Sequence, residues 1–379
     1  MRLIVDENIV FAKEAFSSLG DTQLVNGRSI TNKDVLGADI LIVRSITNVN
    51  EELLGDSKVK FVGTATIGTD HIDLQYLRKH NITFADAKGC NADSVAEYIF
   101  TALFNIASRK KISLRDKSIG VVGIGNIGSR VVRIANSLGI KVLKNDPPLE
   151  RKGIGENYSS LDEILSSDII TFHVPMIMDG IDKTYHLLNE NNLKKIKNGA
   201  TIINSSRGAV IDNSALLAES KNKQLNLILD VWENEPSINT DLLVQANIAT
   251  PHIAGYSFEG KINGTKMIYD ALCKHLKIKS MWDPTLPAIE INKLSLPVGE
   301  NIEYSLYKLF SSIYDIEKDD ELIRKIGTIK QNERASHFDL LRKKYPVRRE
   351  FSNYTVQISE AEFYLKPILE NLRFGVEVI

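Results

Sequence analysis

Short apolar runs alternate with polar, helix-length stretches along the first ninety residues. Residues 3–5, 39–43, 60–65 and 82–85 read as buried strands, because such short, nearly uniform runs suit a parallel sheet covered on both faces. Polar or turn-forming groups follow each one: Asp6-Glu7-Asn8, Arg44-Ser45, Thr66-Ile67-Gly68-Thr69 and Lys88-Gly89. In a single parallel sheet these groups share the carboxyl edge, where open α/β sheets hold ligands. Val95, Ile99, Ala102, Leu103 and Ile106 then recur at helical spacing, with Asp93 or Ser94 as the N-cap and Arg109-Lys110-Lys111 at the other end.

A second alternation begins at Ser118. Strands are expected at 119–122, 141–143, 169–172, 201–204, 227–229 and 248–249, with helices such as 127–138, 161–165 and 214–221 between them. A helix over 260–277 would return the chain to the first lobe. Beyond Trp282-Asp283-Pro284-Thr285-Leu286-Pro287 the pattern changes. Ile302, Leu306, Leu309, Phe310, Ile313 and Ile316 mark one apolar helix face, and Tyr354-Thr355-Val356-Gln357-Ile358 alternates like a strand with one wet face. The pattern predicts an α/β protein with two doubly wound, Rossmann-like lobes and a separate C-terminal α+β module.

Composition narrows the class. The 379 residues exceed one ordinary domain. Lys and Arg total 47 against 48 Asp and Glu, a formal charge of -1, so no global attraction to nucleic acid or an anionic membrane is expected. No apolar run approaches the roughly 20 residues that span a bilayer. Asp6 and Glu7 fall where a secretory leader needs an apolar core, and two cysteines, Cys90 and Cys273, suit a reducing compartment. A cytoplasmic enzyme is the expectation, and no His, Cys and carboxylate spacing indicates a metal.

The candidate chemistry begins at Gly123-Ile124-Gly125-Asn126-Ile127-Gly128, which follows an apolar run and opens a helical pattern. Glycines there allow a tight turn and close approach of the backbone to a pyrophosphate, which faces the helix N-terminus. Asp146 ends the next strand, where a carboxylate accepts ribose hydroxyls and repels a 2′-phosphate. NAD is therefore favoured over NADP. Three later strand ends carry Asn204-Ser205-Ser206-Arg207-Gly208, Asp230-Val231-Trp232-Glu233-Asn234-Glu235-Pro236 and Thr250-Pro251-His252-Ile253-Ala254-Gly255-Tyr256. An Arg offers a planar fork to a carboxylate. A His accepts a hydroxyl proton as hydride leaves, and a Glu beside it holds its tautomer. Glu233 and Glu235 compete for that last place.

Together the GxGxxG, SRG, DVWxxEP and PHIAG segments resemble the D-2-hydroxyacid dehydrogenase family, as does the split layout. The resemblance implies a substrate lobe from residues 1–95 and 256–285, an inserted NAD domain at 96–255 and a dimerisation domain at 286–379, hence a homodimer. It implies that Arg207 and Glu235 are catalytic and that His252 is the general acid/base. Gly123, Gly125, Asn126, Ile127, Gly128, Asp146, Val174, Ser206, Asp230 and Gly255 would meet NAD, and Ser45, Thr66 and Tyr256 the substrate. Further likeness at MRLIVDENI, VRSIT, FVGTATIGTDHID, HIAGYSFEGK and YPVRREF implies a four-carbon 2-hydroxy acid with a 4-phosphate. Arg44 with Ser45 is the first candidate to hold that phosphate. The basic run Arg342-Lys343-Lys344, with Arg348 and Arg349 beyond it, is the second, reaching a neighbouring site if the tail dimerises. Another dehydrogenase of the same fold, such as a phosphoglycerate dehydrogenase, and a non-enzymatic NAD-sensing scaffold are the alternative readings.

Overall fold

The short apolar runs form parallel strands. In the computed structural model, which describes residues 1–297 and 301–379, the chain divides into two compact units. One is Met1–Asn91 with Ser257–Ala288, the other Ala92–Tyr256 with Ile289–Ile379.

The first unit holds β1 (Arg2–Asp6), β2 (Asp21–Val25), β3 (Ile40–Val43), β4 (Phe61–Thr64) and β5 (Thr83–Asp86), in the order β2-β1-β3-β4-β5. All pair in parallel. β3 and β4 are buried at every position, as their uniform apolar character requires. β2 escapes a hydrophobic reading because it is an edge strand with no buried residue. The Phe258–Leu276 helix covers this sheet through Ile268, Tyr269 and Leu272. It lies so close that a Cβ on Gly63 would come within 2.5 Å of Ile268 Cγ2.

The second unit holds β6 (Ser118–Val122), β7 (Lys141–Asn145), β8 (Ile169–Phe172), β9 (Thr201–Asn204), β10 (Asn226–Leu229) and β11 (Ile248–Ala249), in the order β11-β10-β9-β8-β6-β7. The pairing is parallel throughout. Strand order reverses between β6 and β8, and such switch points open the crevice where nucleotides bind.

The tail shares a core with this sheet. The Ala92–Lys110 helix starts ahead of the expected cap residues and is buried over nearly its whole length. On one side it meets Ile119, Val121 and Ile203 of the sheet; on the other it meets Leu306, Leu309, Phe310 and Phe351 of the tail, in one apolar cluster. Ser94 lies inside its first turn and donates to the Ala254 carbonyl oxygen at 2.9 Å. Polar ties reinforce the contact: Glu97 accepts from the Phe351 N–H at 3.0 Å, and Glu303 from the Leu114 N–H at 2.9 Å. Glu317 accepts from Asn105 and Arg109, both at 2.6 Å.

Within the tail, β12 (Lys293–Ser295), β13 (Thr355–Ile358) and β14 (Gly375–Val378) form a parallel sheet, and β13 alternates buried and half-buried residues. The apolar face expected to run to Ile316 is split. One helix covers Ile302–Ile313, and Asp315 caps a second over Ile316–Arg324. A third, Gln331–Lys343, buries Phe338. Among the described residues no helix is long and apolar enough to cross a membrane.

Phe310 joins helix and tail, stacked on Phe351 at 5.0 Å and edge-on to Phe104 at 5.4 Å. Phe310→Ala is expected to destabilise this unit by about 3–5 kcal/mol, as cavity-forming core truncations do. Urea unfolding followed by circular dichroism measures it, and an unchanged midpoint would contradict the shared core.

Candidate active site

The glycine turn sits at the end of β6. Gly123 has φ +88°, and a Cβ there would lie 2.6 Å from the His173 carbonyl oxygen. A Cβ on Gly128 would lie 1.9 Å from the Gly123 carbonyl oxygen, so only glycine lets the Asn126–Ser137 helix start this close to the strand. Gly125 is different: a Cβ there would meet nothing within 4 Å. The turn is thus tight on the protein side and open on the other, which fits the approach of a pyrophosphate to the helix N-terminus. Asp146 follows β7 and accepts from the Ile124 N–H at 2.8 Å and the Leu149 N–H at 3.0 Å. Its carboxylate therefore stands beside the glycine turn, where ribose hydroxyls would be met. Asn126 is exposed and Ile127 half-buried on the same first helical turn. Val174 follows β8, and its Cγ1 would lie 2.9 Å from a Cβ on Gly123. It lines the turn through apolar contact.

The three later segments converge within the same unit. Beyond β9, Asn204 Oδ1 accepts from the Ser206 N–H and hydroxyl at 3.1 and 2.9 Å, and Asn204 Nδ2 donates to the Arg207 carbonyl oxygen at 2.9 Å. Arg207 Nη1 donates to the Ser206 carbonyl oxygen at 2.8 Å. Gly208 then packs against the loop after β10, where a Cβ would lie 1.9 Å from the Trp232 carbonyl carbon. The Arg207 turn and the Glu235 loop are locked backbone to backbone.

Glu235, not Glu233, faces the histidine. Its Oε2 lies 2.7 Å from His252 Nδ1, and its Oε1 accepts from the Trp232 N–H at 2.8 Å. Burial pushes the Glu235 carboxyl up, but the facing His252 and these two hydrogen bonds hold it below the ordinary glutamate range. Ionised Glu235 fixes the proton on His252 Nδ1 and leaves Nε2 as the acceptor. Glu233 serves elsewhere. Its oxygens meet His186 Nε2 at 2.7 Å and the Asn213 N–H at 2.8 Å. His186, Asp212 and Glu233 bring ligand-type atoms within 4.8 Å of one another, yet these hydrogen bonds, and that of Asp212 to the Ala215 N–H, explain the cluster as a brace.

Asp230 anchors the histidine segment. Its Oδ1 accepts from the Thr250 hydroxyl at 2.6 Å and the Ile253 N–H at 2.7 Å, and its Oδ2 from the Ala254 N–H at 3.0 Å. Burial raises its carboxyl above the ordinary aspartate range, against the pull of His252 and those donors. His252 itself has φ +58°, a left-handed conformation uncommon for a residue with a side chain. Gly255 and Tyr256 follow, both half-buried.

In the first unit, Arg44 follows β3 and its Nη1 lies 3.5 Å from the Asn8 carbonyl oxygen. Ser45 is exposed, and Thr66, past β4, shares a 2.9 Å hydrogen bond with Thr64. All sit on the carboxyl edge of their sheet.

Two tail arginines bond within the second unit. Arg348 is only 6% exposed. Its Nη2 donates to the Ser94 hydroxyl and the Ala254 carbonyl oxygen, and its guanidinium lies 4.4 Å from the Tyr314 ring centroid. It is a buried tie between tail, helix and histidine segment, and its Nη1 is buried without a hydrogen-bond partner among the described residues. Arg349 Nη2 is committed at 2.9 Å to Asn353, four residues on. Arg342 reaches Tyr256, with its guanidinium 5.8 Å from the ring centroid. The sequence showed the basic run but not which member turns inward.

Residues 103–254 match the NAD binding domain model of D-isomer specific 2-hydroxyacid dehydrogenases, and residues 285–368 match a model described as a domain of unknown function. A D-lactate dehydrogenase from Aquifex aeolicus, solved with NAD and lactic acid, superposes with a TM-score of 0.59 at 27% identity. The match covers 73% of this chain and 96% of that one. With the site described above, these likenesses define an NAD-dependent 2-hydroxyacid dehydrogenase. The sequence is also 43% identical over 364 residues to the erythronate-4-phosphate dehydrogenase of Proteus mirabilis, covering 94% of each chain. It is 43% identical over 367 residues to the enzyme of that name in Klebsiella pneumoniae, covering 96% of this chain and 95% of the other. The chain belongs to the erythronate-4-phosphate dehydrogenase family.

The Glu235–His252 bond generates a direct test. His252→Asn is expected to lower turnover about 10²–10⁴-fold, the usual share of a general base. NADH affinity, read by fluorescence titration, should change little, since the glycine turn and Asp146 are left intact. Undiminished turnover would remove His252 from the mechanism.

Proposed function

We propose that this chain oxidises 4-phospho-D-erythronate to 2-oxo-3-hydroxy-4-phosphobutanoate, with NAD as oxidant, in pyridoxal 5′-phosphate biosynthesis in the cytoplasm. The chemistry rests on the 2.7 Å contact between Glu235 Oε2 and His252 Nδ1, and the choice of substrate on the near full-length likeness to relatives of that name. His252 Nε2 takes the proton of the 2-hydroxyl, and the imidazolium that forms is stabilised by Glu235. Arg207 pairs with the substrate carboxylate and polarises the oxygen on C2. Bound NAD supplies the acceptor for the hydrogen leaving C2 as hydride. The glycine turn with Asp146 would seat its pyrophosphate and ribose, Ser206, Val174 and Gly255 would contact NAD as well, and Asp230 would meet the nicotinamide carboxamide. Asp230 would do so in addition to holding the 250–254 segment.

The lobe of residues 1–95 and 256–285 would bind substrate, with Arg44, Ser45 and Thr66 on its sheet edge. Residues 96–255 would bind NAD, and 286–379 would join two copies. Exposed apolar groups on the tail support that last assignment, among them Val347 at 71%, Phe363 at 55% and Tyr364 at 68%. Large apolar groups left in water are commonly covered in an oligomer where they adjoin.

Two measurements test the proposal. NADH formation is expected with 4-phosphoerythronate at a kcat/KM at least about tenfold above that with 3-phosphoglycerate, a margin of about 1.4 kcal/mol in transition-state binding. Preference for 3-phosphoglycerate would overturn the substrate. Sedimentation equilibrium is expected to give about twice the chain mass of 42.4 kDa, and a monomer at micromolar concentration would overturn the homodimer.

A further inference from the structure

The basic run Arg342-Lys343-Lys344 looks like a solvated helix end, yet its members behave differently. The Gln331–Lys343 helix buries Phe338. Leu341 and Arg342, three and four residues on, lie on the same face. Leu341 packs against the apolar cluster that holds Phe338, while Lys343 and Lys344 are exposed. Arg342 is thus carried inward by the periodicity of its helix. Its guanidinium reaches the Tyr256 ring, 5.8 Å from the centroid, and Tyr345 meets the same ring edge-on at 5.8 Å.

What Arg342 finds there is incomplete. Its Nε is buried and has no hydrogen-bond partner among the described residues. Burial works against its charge, but Tyr256, Glu235 and Asp230 outweigh burial and keep it protonated. The Glu235 oxygens are already engaged by His252 and the Trp232 N–H, and those of Asp230 by Thr250, Ile253 and Ala254. Neither acid therefore consumes the guanidinium fork. A half-buried cation that bonds Tyr256 yet keeps a buried, unpartnered Nε, next to the histidine segment, is arranged to receive an anion.

The geometry points to Arg342 as a specificity-determining residue that binds the phosphate of the substrate from within the same chain, an assignment that rests on the substrate proposed above. Arg207 is occupied with the carboxylate in that reading, which leaves the phosphate as the anion to be matched. The lactate dehydrogenase from Aquifex aeolicus is covered over 96% of its length by 73% of this chain, leaving about a quarter of this chain, the size of the tail, without a counterpart. Lactic acid carries no phosphate. The additional segment and the additional charge on the substrate go together, and Arg342 is where the two meet.

Full-length Arg342→Met and Arg342→Lys proteins test this, assayed on 4-phosphoerythronate and on unphosphorylated erythronate. For Arg342→Met, the ratio of kcat/KM for the phosphorylated over the plain acid is expected to fall about 10- to 100-fold, the range of a lost charge-assisted pair. The fall should appear in KM, with kcat for the phosphorylated acid within about threefold, and Arg342→Lys should recover part of it. An equal loss on both acids, or a loss confined to kcat, would overturn the assignment in favour of packing or positioning. Inorganic phosphate is the second probe. At millimolar concentration it should raise the melting temperature of the wild-type protein and do so less for Arg342→Lys, which settles the matter should the methionine variant not fold. No phosphate effect on the wild type, or the same effect on both, would count against Arg342. If the wild type prefers a different hydroxy acid, the substrate reading fails alone, and the phosphate measurement still decides the role of this arginine.

Discussion

A single buried carboxylate organises the histidine end of the site. Asp230 closes β10 and gathers the Thr250 hydroxyl and the Ile253 and Ala254 N–H groups, while its own carbonyl oxygen accepts from the His252 N–H at 2.7 Å. A buried polar group left unpaired costs on the order of 1–3 kcal/mol, so this set of mutual partners admits few other arrangements of the loop. His252 is held in a left-handed conformation by it. Glu235 meets the imidazole only because the loop is pinned there. The Gly208–Trp232 contact then fixes the Arg207 turn against the Glu235 loop, so three strand ends act as one rigid piece. Preorganisation of this kind reduces the rearrangement left to the moment of reaction.

How much of this the sequence discloses depends on the length scale of the forces. Strands β3, β4 and β8 are buried at every position and are legible as apolar runs. β2 is not, because an edge strand facing water needs no apolar pattern. The glycine turn and the histidine segment are legible for a different reason: backbone crowding and proton transfer each admit few residue types. The choice between Glu233 and Glu235 is not decided by residue type, since both are glutamates on one loop. It is decided by which one the loop turns toward His252 and which toward His186. Arg348 and Arg342 show the same limit. Both read alike as members of a basic run that could hold a phosphate, and only tertiary packing makes one a buried tie and turns the other toward Tyr256.

The near-neutral total charge conceals a pronounced internal distribution. Asp230, Glu235, Asp319, Arg342 and Arg348 all belong to the second unit; burial raises the Asp230 and Asp319 carboxyls, while neighbouring charges and hydrogen bonds outweigh burial to lower Glu235 and to raise Arg342 and Arg348. Asp319 accepts from the Tyr314 and Tyr345 hydroxyls at 3.0 and 2.9 Å, so the tail brings its own polar partners to the buried region. Charges placed this way act in a medium that screens them far less than water does. Net charge therefore speaks to solubility and long-range attraction, while the local arrangement governs chemistry.

The tie from Arg348 to the Ala254 carbonyl oxygen joins residues 94 positions apart, and its second bond, to Ser94, joins residues 254 apart. A ribosome makes the chain from one end only. When Arg207, Glu235 and His252 have been made, Arg348 is still to come, and the Ala254 carbonyl oxygen has yet to meet its guanidinium. Closure of the histidine loop therefore waits on a residue made 94 positions after Ala254.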